Sequence, residues 1–333
     1  METIQAGDVL SLGSNGSGLP AGSVAHRLMT AGFNVNALRT NDVLRKEEWL
    51  LFDRTVVDVA RPLLVAVDDL MTRNLRVPIP NAMGITVVQH ETVSDMSDAD
   101  IDMSGITASE RDRTRFSTVN VPLPIVHKDF QLSLRNLESG RRLGMPLDTS
   151  MAAVAARKVA ERIERIVFSG AAITSGGGTV RGYTDHPDRN TGAVTANWRL
   201  AATTGEQILT DIIRMIDIAV ADNFQGPYVL YTSLAAYVQM LRDFKTNSDK
   251  STIQRLLEIP NLQAIRPTSQ ITGNGGVLVT MQSDVVEILD GIQPTTVLWE
   301  SHGGMMLHFK VMAILVPRIK SDAGQRSGLV HFS

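Results

Sequence analysis

Residues 122–168 read PLPIVHKDFQLSLRNLESGRRLGMPLDTSMAAVAARKVAERIERIVF, and their patterning passes from strand to helix. Pro122 and Pro124 bracket an extended piece, after which Phe130, Leu132 and Leu134 alternate with polar residues as an edge strand requires. Asp148, Thr149 or Ser150 can then cap a long helix over 151–168, in which Ala155, Val159, Ile163 and Ile166 fall three or four residues apart. Arg157, Glu161 and Arg165 carry opposite charges at i, i+4 spacing on its other face, the pattern of a solvated surface. Phe168-Ser169-Gly170 ends it.

Outward from this segment the pattern holds. Upstream, Leu44, Leu50 or Leu51, Val56, Val57, Val59, Leu63 and Leu64 have helical spacing, and Arg61-Pro62 turns the chain. Thr86-Val87-Val88 and Val119-Asn120-Val121 are β-branched runs flanking a polar stretch with Asp95, Asp98, Asp100, Asp102, Arg111, Arg113 and Arg115. That arrangement predicts a long two-stranded loop projecting from a body. Downstream, residues 171–202 are glycine-rich and loop-like. Thr204 with Gln207 makes a capping-box signature before the apolar stripe Ile208, Ile212, Met215, Ile216 and Ala219. Gly226-Pro227 leads into a buried strand over 228–232, and Ser233 caps a helix running to Phe244. Strands follow at 276–281, 285–289, 295–299 and 305–319. Interleaved helices and strands, with late strands needing early partners, predict an α+β fold.

The chain has 333 residues, which at about 150 residues per domain suggests roughly two domains or one elaborate one. With 43% hydrophobic and 20% charged residues it is not a disordered protein. Its 32 basic and 35 acidic side chains give a net charge of −3, without the basic excess of a dedicated nucleic-acid binder. Cysteine is absent, which excludes disulfides, cysteine-ligated iron–sulfur clusters and thiolate zinc sites. The N-terminal residues show no basic segment and no apolar run, so no signal peptide is expected. The longest apolar approach to a membrane span, 305–316, is broken by His308 and Lys310.

Catalytic and metal motifs fall short of their chemistry. Asp98, Asp100 and Asp102 alternate as at the start of a calcium loop, but Met103 stands where glycine is needed and Ser109 where glutamate is. A solvated or intersubunit acidic loop fits them better. The run Thr174–Thr179 has glycines but no following Gly-Lys-Ser/Thr, and Gly273-Asn274-Gly275-Gly276 precedes a strand instead of a helix; both read as turns. None of the seven histidines pairs with another at i, i+4 spacing, and no Gly-x-Ser-x-Gly elbow occurs. No enzyme activity, cofactor or metal is therefore expected.

The stretch Leu123–Ser133 followed by Arg135-Asn136-Leu137-Glu138-Ser139-Gly140 resembles encapsulin shell proteins. The likeness continues at Pro146-Leu147-Asp148-Thr149-Ser150, at 155–168, at Gly226–Leu230, at Gly275–Val279 and from Asp290 through Phe309 to Ile319, in the same order over about residues 44–333. Encapsulins share the Hong Kong 97-type fold with the major capsid proteins of tailed bacteriophages. The resemblance implies an N-terminal arm (1–43), a peripheral domain opening at 44–84, an extended loop (85–120), a peripheral segment with its spine helix (121–179), an axial domain (180–298) and returning peripheral strands (299–333).

A Gly/Ser-rich stretch over 1–40 and a long mixed-charge loop suit a shell built in several quasi-equivalent positions. They favour a tailed-phage major capsid protein, with an encapsulin nanocompartment shell enclosing a cargo enzyme as the alternative. The resemblance then implies self-assembly into pentamers and hexamers of an icosahedral capsid in the host bacterial cytoplasm, around double-stranded DNA touched non-specifically. The loop residues Asp95, Asp98, Asp100, Asp102, Arg111, Arg113 and Arg115 would lie over a neighbouring subunit. Arg157, Lys158, Arg162 and Arg165 on the spine helix would form a lumen-facing basic patch, with intrahelical or intersubunit pairing as the competing role. A portal, a separate scaffolding protein and a decoration protein are the expected partners, and no membrane. No lysine lies between 47 and 127, so a loop-borne lysine crosslink is not expected.

Overall fold

The computed structural model describes residues 46–93, 101, 103, 114, 116–143, 149–245, 249–322 and 324–333. The chain enters through α1 (Lys46–Ala60), turns at Arg61–Leu63 around Pro62, and continues as α2 (Val65–Thr72). Then come β1 (Arg76–Pro78), β2 (Val87–Val93), β3 (Phe116–Pro122) and β4 (Val126–Ser133). Two helices follow, α3 (Leu134–Arg142) and α4 (Ser150–Ser169). The alternation expected to run through Leu134 thus stops at Ser133, and Leu134 opens a helix instead.

Helix α4 is the expected long helix, with Ala155, Val159, Ile163 and Ile166 buried and Arg157 and Arg165 exposed. It stops at Gly170, whose φ is +67° and where an added Cβ would lie 2.5 Å from the Val180 carbonyl oxygen. A side chain is excluded there twice over, by backbone conformation and by space.

After α4 the chain forms β5 (Ala171–Ser175), β6 (Gly178–Val180) and β7 (Asn190–Gly192), then α5 (Gly205–Ala221). β5 and β6 form a hairpin closed by Gly176 and Gly177, both at positive φ. The glycine run at 174–179 is thus a hairpin turn. Thr204 and Gln207 make the reciprocal capping box at the start of α5. Next are β8 (Tyr228–Ser233), α6 (Leu234–Met240), α7 (Thr252–Leu256), β9 (Leu262–Thr268), β10 (Gly276–Thr280), β11 (Val286–Ser301), β12 (Met306–Ile319) and β13 (Leu329–Phe332). Helix α6 ends at Met240, short of Phe244, because the backbone there turns to pair with 250–252: Phe244 N–H donates to Lys250 O and Thr252 N–H to Arg242 O.

Two sheets carry the fold. A four-stranded sheet has the order β1-β11-β12-β4, with β4 on its edge as its alternation requires. α1 and α4 cover one face, where Phe130 stacks on Phe309 at 4.9 Å between ring centroids and Phe52 sits 5.1 Å from Phe309. The second sheet has the order β7-β13-β10-β8-β9. Every residue of β8 and β10 is buried, because this sheet is a wall between two cores. Val229, Tyr231, Val277 and Val279 face the core of the first sheet, and Tyr228, Leu230 and Leu278 face the core beneath α5. Burial on both faces explains the continuous apolar runs.

The sheets redraw the C-terminal part of the chain. β11 runs unbroken from Val286 to Ser301 inside the first sheet, so the expected division at 298/299 falls within one strand. β13 pairs with β10 in the second sheet and does not join the strands of the first. Its side chains Val330 and Phe332 are needed to fill the core under α5.

Candidate functional site

The projecting element is a two-stranded hairpin. β2 and β3 pair antiparallel from Val87↔Pro122 to Val93↔Phe116, and Phe116 and Val119 are exposed on it. Asp95, Asp98, Asp100, Asp102, Arg111, Arg113 and Arg115 lie outside the described residues. Ile101 and Met103, within the same loop, are fully exposed. Two bare apolar side chains between acidic residues were not singled out from sequence, although they interrupt the polar run visibly.

The root of this hairpin is clamped. Asn120 Nδ2 donates to Gly176 O at 2.5 Å, and Gly178 presses against the Asn120 backbone. Beside the root lies a cavity of about 350 Å³ lined by His90, Glu91, Thr92, Asp284, Arg318, Lys320 and Ser321. Arg318 Nε donates to Glu287 Oε2 at 3.0 Å and Lys320 Nζ lies 2.9 Å from the same oxygen. Burial works against the Glu287 carboxylate, but hydrogen bonds from both cations hold it below the usual range. Burial lowers His90, and Arg318 and Lys320 lower it further.

Arg157, Lys158, Arg162 and Arg165 are all exposed on α4. Lys158 Nζ bonds Glu161 Oε2 at 2.8 Å and Arg157 Nε lies 3.7 Å from Glu161 Oε1. The Lys158 hydrogen bond pulls Glu161 below its ordinary value. Half of the patch is therefore paired within the helix. Arg162 and Arg165 form no ion pair among the described residues.

Sequence reading missed a buried polar cluster around Glu164. Its signal was present: Glu164 is four residues after Ala160 and three before Val167, on the buried stripe of α4. Among the described residues no group of three or more His, Asp or Glu side chains could hold a metal ion, and no helix is long and apolar enough to cross a membrane.

Comparison with known proteins gives this architecture its class. The virus-like particle from Pyrococcus furiosus superposes with a TM-score of 0.57 at 18% identity, covering 82% of this chain and 97% of that one. The capsid of Myoviridae phage XM1 also gives 0.57, at 11% identity, over 74% and 85%. The type 1 encapsulin shell protein EncA of Myxococcus xanthus is 27% identical over 291 residues, 83% of this chain and 90% of the relative. The fold is the Hong Kong 97-type fold of these capsid and shell structures. Residues 36–332 match a family model described as "Family of unknown function (DUF6260)", and the chain belongs to that family.

Proposed function

We propose that this chain is the major capsid protein of a tailed phage or prophage, whose copies close into an icosahedral shell of pentamers and hexamers around double-stranded DNA. The observation that carries the reading is the clamped β2–β3 hairpin, whose two strands are joined in the sequence by the 22 residues 94–115, with six acidic and three basic side chains. A loop of mixed charge laid over a neighbour favours register and specificity over raw affinity, as quasi-equivalent contacts require. In this reading the module under the five-stranded sheet faces the capsomer axis, and the described faces of the four-stranded sheet and α4 form the peripheral wall. The protein's work is assembly, in the bacterial cytoplasm, with a portal, a separate scaffold and a decoration protein as partners and no catalytic step of its own. Arg162 and Arg165, exposed on α4, face the lumen and touch DNA phosphates without sequence preference.

A second reading is carried by the Myxococcus xanthus encapsulin, matched over 90% of its length: a nanocompartment shell around a cargo enzyme. Particles containing this chain, isolated from their native cells and treated with nuclease before extraction, separate the two. Protected, genome-length double-stranded DNA supports the capsid reading, whereas a stoichiometric enzyme without DNA overturns it in favour of the encapsulin.

A further inference from the structure

One cluster of polar groups is buried where the helices of the first core meet the five-stranded sheet. Glu164 Oε1, on α4, accepts the backbone N–H of Ala66 at 2.9 Å, and the adjacent Val67 amide also favours the charged carboxylate. Both amides belong to the first turn of α2, whose preceding residue, Leu64, has no side chain able to cap it. A residue 98 positions away thus supplies the missing helix cap. The other oxygen, Glu164 Oε2, is buried without a hydrogen-bond partner, and so is the Tyr183 hydroxyl.

Further along α2, Asp69 is buried as well. Tyr231 of β8 donates its hydroxyl to Asp69 Oδ2 at 3.0 Å, and Arg266 Nη2 of β9 donates to Oδ1 at 3.2 Å. Phe168 of α4, Tyr183 and Tyr231 complete the joint, with ring centroids 5.3 to 5.9 Å apart. Glu164 and Asp69 therefore tie α4 and α2 to the wall between the two cores.

An ionised Glu164 would leave one carboxylate oxygen buried and unpaired beside a second carboxylate. Burial is the largest influence on this group and pushes it up to about 8; the Ala66 and Val67 amides pull it down, and Asp69 adds to the rise. Tyr183 and Tyr231 are pushed up by burial and stay neutral across the same range. The other charged groups nearby, Asp58, Arg61 and Asp68, line a surface cavity of about 410 Å³ that reaches Asp69 and Arg266. That cavity brings solvent to the joint's outer edge.

We propose that Glu164 is a proton-operated latch: protonated, it holds α2 and α4 against the five-stranded sheet, and on giving its proton to solvent it releases the first turn of α2 while both cores stay folded. The closed joint binds a proton that the open joint gives up at the ordinary carboxyl value. Closure is therefore fully favoured below about pH 4.5, weakens as pH rises, and levels off above about 8.

Hydrogen–deuterium exchange of the full-length chain between pH 5 and 9, corrected for intrinsic rates, tests this. In the native chain the amides of 65–69 should lose protection by up to about tenfold per pH unit, while those of β10 keep theirs. Glu164→Gln keeps a carbonyl acceptor for the Ala66 amide and cannot ionise, so its protection should be flat with pH. An equal loss in Glu164→Gln, or no loss in the native chain, overturns the latch. Should Glu164→Gln fail to fold, Asp69→Asn decides: removing the neighbouring charge should make the loss level off at lower pH, and an unmoved end point overturns the proposal.

Discussion

Gly178 lies so close to Asn120 that a Cβ built on it would stand 1.9 Å from the Asn120 carbonyl oxygen. Backbone-to-backbone contact of this kind seats the β5–β6 hairpin against β3, and it fixes the direction in which the projecting hairpin leaves the body. Gly178→Ala should therefore force the two hairpins apart, at a cost of about 1–3 kcal/mol. Gly140→Ala is its control: nothing lies within 4 Å of the added Cβ, and the site is helical. That variant should match or exceed the native chain by up to about 1 kcal/mol. Thermal unfolding of both checks the contrast, and electron microscopy of the Gly178→Ala particles should show fewer closed shells.

The stack of Phe130 and Phe309 is where the edge strand, the long strand β12 and α1 share one core. Phe309→Ala removes a fully buried ring and should cost about 3–5 kcal/mol. Lys310→Ala, one residue on and half-buried on the opposite side of the sheet, should cost less than about 1 kcal/mol. Denaturant titration of the two variants reads the difference.

Acid should loosen the hairpin root through Glu287. Its folded value is depressed by Arg318 and Lys320, so its contribution is present above the ordinary carboxyl value and is lost as pH falls through the lower folded one. Stability measured from pH 6 down to pH 2 should fall more steeply in the native chain than in Glu287→Gln, which should already be weaker at pH 6.

Arg162 and Arg165 are exposed, so Arg162→Ala/Arg165→Ala should leave the unfolding temperature nearly unchanged. If the two contact phosphates, the slope of log affinity against log salt for double-stranded DNA should shrink by up to ~2. Arg157→Ala/Lys158→Ala, whose cations share Glu161, should change it less.

Much of this fold is written locally in the sequence. α4 and α5 announce themselves through 3.6-residue periodicity and a capping box, and β8 through an apolar run after Gly226-Pro227. α7 also carries the box, at Ser251 and Gln254, but a five-residue helix has too little periodicity to stand out. What was not legible is long-range: β13 and β9 become strands only because β10 and β8 offer them edges. The Glu164 cluster hid for a related reason. A charged residue on α4 reads as solvated until α2 and the five-stranded sheet are seen to close over it. Of the candidate residues, the spine-helix cations expected to face the lumen lie on an exposed face of α4, and the loop charges expected to lie over a neighbour fall outside the described residues.

As a capsid protein, this chain should build closed shells. Negative-stain electron microscopy of the purified protein reads this at once. Closed icosahedral particles made of this chain are expected, whereas a discrete monomer or dimer that assembles under no condition of salt, pH or concentration would rule out a shell protein.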